Sequence, residues 1–133
     1  MSGTLYVVGT PIGNLGDMTS RQLEVLERVS VICAEDTRVT RKLLSHFDLH
    51  TPLLSYHEHS PQAVIDGIVE RLQAGEDCAV VTDAGMPCIS DPGALLVQQC
   101  IAQQIPMQVV PGPSAVISAL AISGQDTGRF CFE

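Results

Sequence analysis

The sequence predicts an α/β fold: a mostly parallel five-stranded sheet with helices on both faces, in a single domain over residues 1–133. Two observations carry this. Short apolar runs alternate with helical patterns, the signature of βα units on a parallel sheet. Three loops stiffened by proline and glycine, Gly9-Thr10-Pro11-Ile12-Gly13-Asn14-Leu15, Thr82 to Gly93 and Pro111-Gly112-Pro113-Ser114-Ala115, each follow such a run and lead into a helix. In a parallel sheet these loops share the carboxyl edge, where open α/β folds bind ligands.

Strands are expected at Thr4 to Val8, Val29 to Ala34, Pro52 to Tyr56, Cys78 to Thr82 and Met107 to Val110. Thr19 is placed to cap a helix through Arg21-Gln22-Leu23-Glu24-Val25-Leu26, because its side chain can accept from an amide that has no partner within the helix. Ser60 before Pro61, and Asp91 before Pro92, mark two further starts, since proline at the first helical position loses no helical hydrogen bond. Ile65, Ile68, Val69 and Leu72 form one apolar stripe, and Gly75 is a natural stop. Ser114 can cap Ala115 to Ile122, a helix so apolar that burial on more than one side is expected, in the core or against a second subunit. Arg129-Phe130-Cys131-Phe132-Glu133 reads as the start of another strand.

With 45% apolar residues and positive mean hydropathy, the chain has enough apolar surface for a real core and is not a disordered protein. No apolar stretch approaches the roughly 20 residues of a membrane span, and Met1-Ser2-Gly3-Thr4 has no basic n-region, so a cytoplasmic protein is expected. The five cysteines include no C-x-x-C pair and sit mostly in apolar runs, as small hydrophobes. His57-Glu58-His59 has no further ligand at a diagnostic spacing, so no metal site is expected.

The net charge of −8 would repel nucleic acid if evenly spread. It is not: Arg38, Arg41 and Lys42 lie at i, i+3 and i+4, on one helical face, and form a candidate phosphate-contacting patch. In the first loop the glycines allow close approach of a ligand, but the spacing is neither a dinucleotide fingerprint nor a P-loop. In the second, Asp83 ends a strand with no helix of its own to cap, so its carboxylate is available to a ligand or to loop amides. In the third, Ser114 and Ala115 stand at a helix start whose free amides can meet a ligand.

These loops, with Ala34-Glu35-Asp36-Thr37-Arg38 and Ser55-Tyr56-His57-Glu58-His59, make the chain resemble the amino-terminal half of the ribosomal RNA small subunit methyltransferase I family. That family belongs to the tetrapyrrole-methylase-like class. The resemblance runs from about Leu5 to Glu133. It implies a tetrapyrrole-methylase-like amino-terminal domain, S-adenosyl-L-methionine as cofactor, and 2′-O-methylation of a cytidine ribose in 16S RNA. It also implies a carboxy-terminal domain, absent from this chain, that completes the cofactor pocket and adds dimer contacts. The expected partners are 16S RNA or the small ribosomal subunit and a second copy of the protein.

By the same resemblance the cofactor is held by Ile12 and Gly13, by Asp83, Ala84, Gly85, Met86 and Ile89, and by Ser114 and Ala115. A ribose hydroxyl attacks well only when a base withdraws its proton. Glu35, Asp36, His57 and Glu58 are candidates, with His57 and Glu35 ranked first, and Arg38, Arg41 and Lys42 are the RNA contacts. Tetrapyrrole methylases carry Gly-Pro-Gly-Asp in the first loop and Gly-Asp-Pro in the second. This chain has Pro11-Ile12-Gly13-Asn14 and Gly85-Met86-Pro87, which turns the expectation from tetrapyrrole towards RNA. A small-molecule methylase and a non-catalytic cofactor-binding or dimerising fragment stand as the alternatives.

Overall fold

In the computed structural model, residues 1–89 and 93–133 are described. The order is β1 (Leu5–Val8), α1 (Ser20–Arg28), β2 (Val31–Ala34), α2 (Thr37–His46), β3 (Leu53–Ser55), α3 (Gln62–Gln73), β4 (Cys78–Val81), α4 (Gly93–Ala102), β5 (Met107–Val110) and α5 (Ala115–Ala121), with a 3-10 turn at Leu15–Asp17. All five strands are parallel, in the order β3-β2-β4-β1-β5.

That order fixes the layers. The connections from β1 to β2 and β2 to β3 run one way along the sheet; those from β3 to β4 and β4 to β5 run back. Right-handed crossovers then put α1 and α2 on one face and α3 and α4 on the other. The core divides accordingly. Tyr6, Val8, Ile32, Ala79 and Val81 pack with Val25, Leu26 and Leu44. Leu5, Val7, Cys33 and Val80 pack with Ile65, Ile68, Leu72, Leu96 and Cys100. Alternate residues of one strand enter opposite clusters because side chains alternate across a sheet. β1 and β4, side by side at the centre, send their chains to opposite faces, so a crevice opens between their carboxyl ends.

The helix ends follow local chemistry. Thr19 accepts from the Gln22 amide at 3.1 Å and Gln22 Oε1 accepts from the Thr19 amide at 2.7 Å, a complete capping box. Ser114 accepts from the Ile117 amide at 3.3 Å. Gly75, at φ +96°, follows the α3 cap residue Ala74, a left-handed position that favours glycine.

Several expectations are corrected. β2 starts at Val31; Val29 instead closes α1, its amide bonded to the Val25 carbonyl. Pro61 rather than Ser60 is the N-cap of α3, and the Ser60 hydroxyl turns back to accept from the His57 amide at 2.9 Å. α5 has no buried residue within this chain and Ile117 is 53% exposed, so of the two expected settings the core is ruled out and the second subunit is left. Residues 129–133 form no strand, since they pair with no sheet edge. The expected cap at Asp91 and Pro92 lies outside the described residues. Among the described residues no helix is long and apolar enough to cross a membrane.

Candidate functional site

The three loops meet where the sheet order brings β4, β1 and β5 together. Thr10 and Gly85 form an isolated antiparallel bridge, each amide donating to the other's carbonyl at 3.0 Å, which staples the first loop to the second across the central crevice. The Thr10 hydroxyl also donates to the Thr82 carbonyl at 3.3 Å. Gly85 sits at φ +85°, and a Cβ there would lie 3.4 Å from Ile12 Cγ2 and 3.6 Å from the Pro113 carbonyl oxygen. Residue 85 is therefore the point where the first, second and third loops touch. Met86 turns inward; its thioether accepts from the Gly112 amide at 3.3 Å. Gly13, at φ +130°, has no atom within 4 Å of where a Cβ would stand, so its backbone is open to a ligand. Of the expected cofactor residues, Ile12, Gly13, Gly85 and Met86 thus belong to one locus, and Asp83 and Ala84 are exposed beside it. Ser114 is partly buried at the head of α5, while Ile89 is 69% exposed.

Beside this locus a cleft of about 470 Å³ runs between the first loop and α2. Gly13, Asn14 and Leu15 form one wall, Val39, Lys42 and Leu43 the other, with Thr10, Thr82 and Asp83 between them. Also along α2, a more open concavity of about 690 Å³ is bordered by Asp36, Arg38, Val39, Arg41, Lys42 and Ser45. Lys42 borders both.

The candidate bases separate. Glu35 follows β2, which pairs with β4, and its carboxylate accepts from the Thr82 hydroxyl at 2.9 Å in a partly buried position. Next to it, the Asp36 amide donates to Asp83 Oδ1 at 3.2 Å, tying the β2 loop to the β4 loop. Asp36 is also the N-cap of α2 and pairs with Arg38, Nη2 to Oδ2 at 3.4 Å. The hydrogen bond from the Arg38 guanidinium holds the Asp36 carboxyl below the usual carboxylate range. Arg38 is 87% exposed, so this pair is weak and leaves the guanidinium able to reach a phosphate.

His57 follows β3, the edge strand, two strand spacings from β4 and three from β1, about 10 and 14 Å at roughly 4.8 Å per spacing. Its Nδ1 accepts from the His59 amide at 3.2 Å, and His59 pairs with Glu58 at 3.3 Å. The structure thus brings Glu35 to the loop cluster and leaves His57 and Glu58 at the sheet margin.

Sequence reasoning did not single out Thr10, Asn14, Val39 and Leu43, which line the cleft only because α2 lies against the first loop. It also missed Gln22, fully buried, although the Thr-x-x-Gln spacing of a capping box was visible.

The order of strands, the central crevice and the loop cluster define a doubly wound α/β fold with its candidate ligand site at the carboxyl edge of the sheet. Residues 4–130 match the family described as Tetrapyrrole (Corrin/Porphyrin) Methylases, and the chain belongs to that family. Ribosomal RNA small subunit methyltransferase I of Xylella fastidiosa is 53% identical over 131 residues, 98% of this chain and 48% of that protein. The protein of the same name from Synechocystis is 52% identical, over 98% of this chain and 47% of that protein. The crystal structure of uroporphyrin-III-C-methyltransferase from Thermus thermophilus superimposes with a TM-score of 0.71 at 25% identity, over 92% of this chain and 54% of that one. The chain spans about half the length of the curated relatives it matches.

Proposed function

We propose that this chain is the cofactor-binding domain of an S-adenosyl-L-methionine-dependent methyltransferase that methylates the ribose 2′-hydroxyl of a cytidine in 16S RNA, working in the cytoplasm as a homodimer on that RNA or on the small ribosomal subunit. The observation that carries this reading is the meeting of three loops at Gly85, beside a cleft bordered by a basic helix. The names of the relatives support the RNA substrate.

The residues present suit the cofactor. Gly13 leaves backbone accessible where a side chain would stand, Gly85 lets the three loops close on one another, and Ile12 offers an apolar surface beside them. Ile12, Gly13, Asp83, Ala84, Gly85, Met86, Ile89, Ser114 and Ala115 would hold it. When bound, S-adenosylmethionine supplies a methyl group made electrophilic by its sulfonium. The protein's own task is to hold the ribose oxygen in line with that carbon and to take its proton, and positioning of this kind lowers a barrier by several kcal/mol, up to about 7–11. Glu35 is the base in this scheme, its carboxylate oriented by Thr82. Arg38, Arg41 and Lys42 neutralise backbone phosphates on an otherwise acidic domain.

Calorimetry with S-adenosylmethionine tests the cofactor half of this reading. Saturable binding is expected to be lost in Asp83→Ala/Gly85→Val; binding that survives the double change would move the cofactor elsewhere. Transfer of a labelled methyl group to small ribosomal subunits, followed by nucleoside analysis, tests the substrate. Label in any nucleoside other than 2′-O-methylcytidine would overturn it.

A further inference from the structure

The β1–β5 ladder opens abruptly at the site. Val7 pairs with Val109 and Val8 with Val110, so Gly9 would stand opposite Pro111 in a continued parallel register. The first bond of that register forms, the Gly9 amide donating to the Val110 carbonyl at 3.0 Å. The next would run from the Gly112 amide to the Gly9 carbonyl. Instead the Gly112 amide is diverted to the Met86 thioether at 3.3 Å. The Gly9 carbonyl is taken by Gln22 Nε2 at 2.9 Å, and the same nitrogen donates to the Pro111 carbonyl at 3.1 Å. Both amide hydrogens of Gln22 are therefore spent on the two loops, while its oxygen accepts from Thr19. The residue is fully buried, so the carboxamide has no water to exchange these partners for.

Resting on the cofactor reading above, we infer that Gln22 is a positioning residue: its carboxamide stands in for a ladder bond and fixes the separation of the first and third loops, and with it the span between Ile12–Gly13 and Ser114–Ala115 that the cofactor bridges. The carboxamide is placed for this by the first turn of α1 and held by the Thr19 backbone amide, which donates to Gln22 Oε1 whatever side chain residue 19 carries.

The test compares wild type, Gln22→Glu and Thr19→Ala by S-adenosylmethionine calorimetry and by amide hydrogen exchange without cofactor. Gln22→Glu keeps shape and the acceptor for Thr19 but loses the paired donors. Its dissociation constant should rise at least tenfold, with faster exchange confined to residues 9–14 and 111–115. Thr19→Ala weakens the helix cap but leaves both donors; its affinity should stay within twofold, with faster exchange only in the first turn of α1. Unchanged loop exchange and affinity in Gln22→Glu would overturn the inference, as would equal weakening by Thr19→Ala, which would make helix stability the cause. If burying the new carboxyl unfolds the protein, Gln22→Met, of similar length with no donor, takes its place and the same outcomes apply. A wild type that binds no S-adenosylmethionine, either alone or joined to the carboxy-terminal half of a relative, would sink the cofactor reading. The exchange data alone would then decide whether Gln22 clamps the loops.

Discussion

Gly9 and Gly112 approach so closely that a Cβ added to Gly9 would lie 2.5 Å from Gly112 Cα, and one added to Gly112 would lie 2.8 Å from both Gly9 Cα and Gln22 Nε2. The nearest atoms to a Gly9 Cβ are Gly112 backbone, which cannot turn aside as the Met86 sulfur at 2.8 Å can. Gly9→Ala is therefore expected to destabilise the fold by about 1–3 kcal/mol, the range for forced overpacking. Urea denaturation should show a lower midpoint with an unchanged slope. An unshifted midpoint would mean that the two loops separate freely.

Glu35 and His57 differ in place rather than in chemistry. Glu35 is held by Thr82 beside the crevice, and His57 stands two strands from β4. Glu35→Gln should lower single-turnover methyl transfer by about 10²–10⁴ with cofactor affinity unchanged, as expected for loss of a general base. His57→Ala should lower it no more than severalfold. The reverse order of effects would transfer the base to the β3 loop.

Arg38 and Arg41 flank the concavity on α2, and Lys42 joins it to the cleft. If the two arginines contact phosphates, Arg38→Ala/Arg41→Ala should flatten the slope of log affinity against log salt by about 1.4, at about 0.7 per contact on single-stranded RNA. Titration of an RNA oligonucleotide at several salt concentrations reads this directly. An unchanged slope would remove them from the interface.

The cysteines should divide by reactivity. Burial pushes the thiols of Cys78 and Cys100 up to about 11, and that of Cys33 also well up. At pH 8 only about one in a thousand of the first two would be the reactive thiolate. Alkylation followed by mass spectrometry should label the exposed Cys131 in the native protein, and Cys33, Cys78 and Cys100 only after unfolding.

Much of the fold was legible because its signals are local. The strand runs at Leu5–Val8, Cys78–Val81 and Met107–Val110, the Thr19 and Ser114 caps and the Gly75 stop each depend on a few adjacent residues whose backbone preferences leave little choice. Since the strands run parallel, the sequence by itself also determined that the proline- and glycine-rich loops share one edge of the sheet. What it could not contain is the order in which the strands pair, because pairing is chosen by non-local packing and crossover handedness. That order set Glu35 beside Thr82, left His57 at the margin and opened a cleft between the first loop and α2. Only the tertiary structure could turn Gln22 from a helix-start residue into the link between Gly9 and Pro111, since its two acceptors lie 13 and 89 positions away in the chain.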